Sequence, residues 1–133
     1  MKKVLVSLLL ASLMIFSLVG CSAHLSHYSA LMLVTTNKSD EASMSFSSFN
    51  GTKVFTLSLT EGGVIKYSAV IESGEATVYI EVGENKTEMF KITSGESINS
   101  YYELYNYKGK VYITVESNGK ISEGRFDFEV EYN

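Results

Sequence analysis

For most of its length this chain alternates apolar and polar positions as β-strands do. From Met44 onward apolar residues recur at every second position in short runs: Met44 and Phe46; Phe55, Leu57 and Leu59; Ile65, Tyr67, Ala69 and Ile71; Ala76, Val78, Ile80 and Val82. Phe90 and Ile92 follow, then Tyr102 and Leu104, then Val111, Ile113 and Val115, and last Phe126, Phe128, Val130 and Tyr132. Successive strand side chains point to opposite faces, so each run buries one face and leaves the other polar. Glycine-bearing turns fall between the runs, at Asn50-Gly51, Gly62-Gly63, Ser73-Gly74, Gly83, Ser94-Gly95, Lys108-Gly109 and Asn118-Gly119. No window keeps a helical period. Seven or eight short antiparallel strands spaced in this way predict one all-β domain over residues 43–133, an antiparallel β-sandwich of jelly-roll or immunoglobulin-like kind.

The N-terminus breaks the pattern. Lys2 and Lys3 precede an almost unbroken apolar run from Val4 to Val19, which closes in Leu18-Val19-Gly20-Cys21. A membrane-spanning helix needs about twenty apolar residues; this run is shorter, has basic residues only in front and ends in small ones. It reads as a cleaved export signal over residues 1–20. The final four residues resemble the lipobox of bacterial lipoprotein precursors. That resemblance implies cleavage between Gly20 and Cys21 and a diacylglyceryl thioether on Cys21, with two or three acyl chains fixing the protein to the membrane. A secretory signal cut after Ala23 is the alternative. Cys21 is the single cysteine, so its lipidation leaves the mature domain without disulfide, thiol chemistry or a cysteine metal site. Ser22 is not aspartate, which in a two-membrane bacterium favours the outer membrane over retention at the inner one.

Residues 21–42 then read as the lipidated cysteine, a short tether from Ser22 to His27, and an apolar patch, Ala30 to Val34. The patch is either a first strand, continued by Thr35-Thr36 and turned by Asn37 to Asp40, or a membrane-proximal adhesive segment. The strand is the favoured reading. His24 and His27, three apart with no cysteine or acid near them in sequence, make a poor metal pair.

Charge narrows the partners. Removing Lys2 and Lys3 with the signal leaves nine of the eleven basic residues against fifteen acidic ones, a net −6. That sign argues against nucleic acid and against electrostatic adhesion to anionic lipid, so the membrane contact is assigned to the lipid on Cys21. In the last run Arg125, Asp127, Glu129 and Glu131 alternate with buried positions and predict a solvated face. A calcium site there needs oxygens from several segments, and no contiguous calcium loop is present.

Tyrosine is the surface feature above background. Tyr101-Tyr102-Glu103-Leu104-Tyr105-Asn106-Tyr107 leads into Lys108-Gly109, and Val111-Tyr112-Ile113 returns. A two-residue hairpin loop at Lys108-Gly109 would gather Tyr101, Tyr105, Tyr107 and Tyr112 on one outer face. A bulged three-residue loop would shift the register and scatter them. Such a cluster suits a protein contact, or a sugar whose apolar face packs on an aromatic ring, or only the cross-strand pairing that stabilises hairpins.

Catalysis has little to work with. From Ser43 onward there is no histidine or cysteine, which removes the usual general base, the common nucleophile arrangements and the common zinc sites. No phosphate loop or nucleophile elbow is present, and a carboxylate-pair hydrolase needs a deeper cleft than a domain of this size provides. No catalytic residue, metal or cofactor is expected. Phe49 to Leu59, Glu72-Ser73-Gly74 before Val78-Tyr79-Ile80, and Gly109 to Ile113 together resemble small β-sandwich accessory domains of the pre-peptidase C-terminal type. That resemblance implies a binding or spacer role and assigns no ligand residue. The expectation is a membrane-anchored extracytoplasmic lipoprotein whose non-catalytic domain contacts protein at the cell envelope, with carbohydrate binding through the tyrosines, or a spacer role without ligand, as alternatives.

Overall fold

A computed structural model describes residues 24–132. The signal run, Gly20 and Cys21 lie outside the described residues. Nine strands follow one another: β1 (His27–Leu31), β2 (Val34–Asn37), β3 (Glu41–Leu59), β4 (Gly63–Ser73), β5 (Glu75–Val82), β6 (Asn85–Thr93), β7 (Ser97–Leu104), β8 (Gly109–Ser117) and β9 (Ile121–Glu131). All pairings are antiparallel, in the order β6-β5-β8-β3-β9-β4-β7, with β1 and β2 on the remaining side of β3. The expected all-β sandwich is present. It has more strands than the seven or eight read from the pattern, and its pairing begins at His27 rather than at residue 43.

The long strand β3 folds one sheet into two layers. Its first half, Glu41 to Phe49, pairs with β9, and its second half, Thr52 to Leu59, pairs with β8. The first layer is therefore β2, the start of β3, β9, β4 and β7; the second is the end of β3, β8, β5 and β6. Asn50-Gly51, expected as a turn between two strands, is instead a bend inside one. Gly51 has φ +137°, and a Cβ there would lie 2.3 Å from the His27 carbonyl oxygen and 2.6 Å from the Tyr28 Cα. Glycine is required because β1 crosses the bend at backbone contact, not because the chain reverses. At the mouth of the fold Asn37 ties the layers together: its side chain donates to the Thr56 carbonyl at 2.7 Å and accepts from the Thr56 N–H at 3.1 Å.

The core lies between the layers and is made by the positions that the alternation marks. Phe46, Phe55, Leu57, Ile65, Ile80, Ile113, Phe126 and Phe128 are buried, and among the described residues the buried set contains no polar or charged side chain. Rings meet across the gap: Phe55 lies 6.2 Å from Phe128, and Phe90 of β6 stacks 4.8 Å from Tyr67 of β4. The β4–β5 connection at Gly74 is the other corner between layers. Its φ is +98°, and its N–H donates to Ser94 Oγ at 2.9 Å.

Candidate functional site

The expected tyrosine hairpin does not form. β7 pairs with β4 at the edge of the first layer, whereas β8 lies between β3 and β5 in the second. Alternation gave each strand its correct buried face, but it carries no information about the partner. Tyr101 and Tyr105 therefore belong to the first layer and Tyr112 to the second. Tyr107 caps the connection between them, its hydroxyl donating to the Lys110 carbonyl at 2.6 Å.

On the first layer, register places the outward side chains in rows. Glu41, Glu129, Lys66 and Tyr101 face the same way on neighbouring strands, and Thr36, Ser43, Asp127, Ser68 and Asn99 form the next row. Two adjoining depressions run across these rows. One, of about 440 Å³, is lined by Ser43, Lys66, Ser68, Asn99, Asp127 and Glu129 among others. The second, of about 450 Å³, shares Lys66 and Asn99 and is bounded by Val64, Tyr101, Tyr105 and Glu131. Tyr101 is 56% exposed and Tyr105 48% exposed.

The electrostatics of this face are organised around one fork. Arg125 donates from Nε to Asp127 Oδ2 at 2.7 Å and from its terminal nitrogen to Oδ1 at 3.0 Å. Hydrogen bonding first, and the carboxylate's charge second, raise the Arg125 pKa above its ordinary value. A bidentate pair of this kind is a fixed planar element rather than a free charge. Lys66 stands 4.0 Å from Glu131, while Glu41, Glu103 and Glu129 leave the face acidic. The row Arg125, Asp127, Glu129 and Glu131 was legible as solvated; the depression that it floors was not, because β3, β4 and β7 supply the other walls.

The second layer has a different outer face. Thr56, Tyr112, Glu81 and Lys86 form a row there, and the incoming chain covers part of it. The His24 ring stacks on Tyr112 with centroids 3.8 Å apart, and its Nε2 lies 2.5 Å from Glu81 Oε2. His24 thus holds the tether against the domain, while His27 takes its place in β1 opposite Thr52. No group of three or more His, Cys, Asp or Glu is arranged to hold a metal ion among the described residues.

Among known proteins, no family model matches the chain, and neither does any curated protein. Solved structures do. The carbohydrate-binding module TmCBM61, in complex with β-1,4-galactotriose, is 17% identical with a TM-score of 0.52, over 81% of this chain and 88% of that one. A family 29 carbohydrate-binding module is 12% identical with a TM-score of 0.41, over 79% and 75%. The pre-peptidase C-terminal domain of collagenase from Bacillus anthracis is 18% identical with a TM-score of 0.44, over 80% and 90%. The likeness to TmCBM61 is one of fold.

Proposed function

We propose that this chain is a membrane-anchored extracytoplasmic lipoprotein whose sandwich is a non-catalytic binding domain for neutral oligosaccharide, taken up on the outer face of the first layer. The observation that carries the reading is the continuity of the two depressions. Exposed Tyr101 and Tyr105 offer rings for the apolar face of a sugar. Lys66, Asn99, Ser68 and Glu129 offer donors and acceptors beside them, the mixture by which a ligand site fixes orientation. The surplus of carboxylates disfavours an anionic glycan. The fold shared with a module that holds galactotriose supports the same class of role. Protein contact, the first expectation from the sequence, draws less support from a polar, concave face whose tyrosines are divided between layers. The anchor remains the proposed lipid on Cys21, with cleavage after Gly20.

A neutral-glycan array, followed by calorimetry on any bound sugar, tests the site. The expected result is retention by the processed protein and loss in Tyr101→Ala/Tyr105→Ala, with Tyr112→Ala unaffected. Retention unchanged in the double variant would remove the site from this face. Detergent phase partition of Cys21→Ser against the parent tests the anchor, and partition of both into the aqueous phase would remove the lipid.

A further inference from the structure

Five of the eight exposed large hydrophobic residues among those described lie in one ten-residue stretch: Leu25, Tyr28, Leu31, Met32 and Val34. Met32 is 80% exposed, Leu31 64% and Val34 65%. Elsewhere the outward positions are mostly serine, threonine, asparagine, lysine and glutamate. The stretch runs along the open side of β3, where β1 and β2 end the sheet. Met32, between them, has φ +54°, an uncommon conformation for a non-glycine residue, and it interrupts the edge at the point where the apolar side chains stand out. Two lysines flank the stretch. Lys53 Nζ lies 5.9 Å from the Tyr28 ring centroid, and Lys120 lines a depression with Ala30 and Leu31.

We propose that this edge docks on the surface of a lipid bilayer, with Leu31, Met32 and Val34 entering the interface and the stems of Lys53 and Lys120 bordering it. The proposal rests on the reading of Cys21 as lipidated. Position in the chain selects the occupant. His24 is already seated on the domain, and the three residues back to Cys21 span at most about 11 Å. Acyl chains on Cys21 therefore bring a bilayer within that reach of His24 and the adjoining Leu25, where the exposed apolar stretch begins. An apolar fringe with flanking lysines is the composition of an interfacial segment. Docking by this edge also keeps the tyrosine end of the sugar face accessible, since β7, which carries Tyr101, is four strand spacings from β2, about 19 Å.

The chain contains no tryptophan, so a single introduced one is an unambiguous reporter of depth. Met32→Trp, Val34→Trp and, as control, Ser97→Trp, exposed on β7 four strands from Val34 in the same row, are exported, processed and reconstituted in vesicles of phosphatidylglycerol and brominated phosphatidylcholine. Docking predicts a blue shift and loss of most emission for Met32→Trp and Val34→Trp, with Ser97→Trp unquenched. Two reporters guard against one that fails to fold, and the control absorbs any lipid affinity of tryptophan itself. Equal, unquenched emission at all three sites overturns the proposal and would fit a protein strand seated on the edge instead. The mass of the N-terminal peptide reports the lipid separately. An unmodified Cys21 with quenched reporters would sink the lipid reading alone, and a lipidated Cys21 with unquenched reporters would sink the docking alone.

Discussion

Tyr101 and Tyr112 are the same side chain on the outer faces of two layers of one domain, and their surroundings differ. Tyr101 stands at the rim of a depression with Lys66 beside it. Tyr112 is half-buried, covered by the His24 ring. An outward tyrosine is therefore not a site by itself. The route of the incoming chain decides which face is free: the tether crosses the second layer, and the first is left open. This contrast can be broken at several levels.

The largest effect is expected where both faces share a foundation. Phe126 is fully buried and meets Phe46 at 6.2 Å and Phe90 of the other layer at 6.5 Å. Phe126→Ala should cost about 3–5 kcal/mol in denaturant unfolding. Loss of binding and loss of His24 docking should then follow together. A cost below one kcal/mol would mean that the layers do not depend on their shared core.

Gly51→Ala separates the two regions instead. The added methyl meets the β1 backbone in a positive-φ conformation, and a cost of about 1–3 kcal/mol is expected. Hydrogen exchange should quicken in β1 while the strands around Tyr101 stay protected. Uniform quickening would show that β1 is integral to the core rather than laid over it.

The comparison is sharpest at the tyrosines. Tyr101→Ala/Tyr105→Ala should weaken sugar binding by about tenfold or more, corresponding to about 1.4 kcal/mol, while the unfolding midpoint barely moves. His24→Ala should do the reverse on a smaller scale. It removes a stacked ring worth about 0.5 kcal/mol, exposes Tyr112 to iodination or quenchers, and leaves sugar affinity alone. If His24→Ala weakened sugar binding, the two faces would not be independent.

The smallest effect is electrostatic. Lys91 and Glu75 pair at 2.8 Å across β5 and β6, and hydrogen bonding to Glu75 raises the Lys91 pKa above 10.5. A raised value in the folded state means that the contribution is fully present below pH 10.5 and is lost as pH climbs through the folded value. Glu75→Gln should flatten that alkaline decline in a pH series of unfolding curves without altering either outer face. Identical alkaline slopes in parent and variant would show that the pair contributes nothing.

What was legible in the sequence was the face of each strand. Ile65, Tyr67, Ala69 and Ile71, or Val111, Ile113 and Val115, share a side because side-chain direction has a period of two, and burial follows. What was not legible was pairing. A turn-forming Lys108-Gly109 between two tyrosine-rich runs looks like a hairpin, yet each run finds its partner far away in the chain. Asn50-Gly51 is equally ambiguous, since a glycine that reverses the chain and one that lets another backbone approach are spelled alike. Residues 30–36 were read as one strand or an adhesive patch; the structure has two strands over residues 27–37 with Met32 between them, because their register is set by β3 and not by their own alternation.

The position of β9 has a consequence for timing. Residues 121–131 lie between β3 and β4, which do not pair with each other, so the centre of the first layer is the last of the nine strands to be synthesised. Until it arrives, β3 and β4 have no shared neighbour, and the outer face of the first layer cannot assemble. Pairings between segments this far apart in sequence also form slowly. A chain built in this order stays open while it is being made, the state in which a polypeptide can be threaded through a translocation channel. For a chain exported as proposed, the same arrangement that completes the domain would delay its closure until translocation is finished.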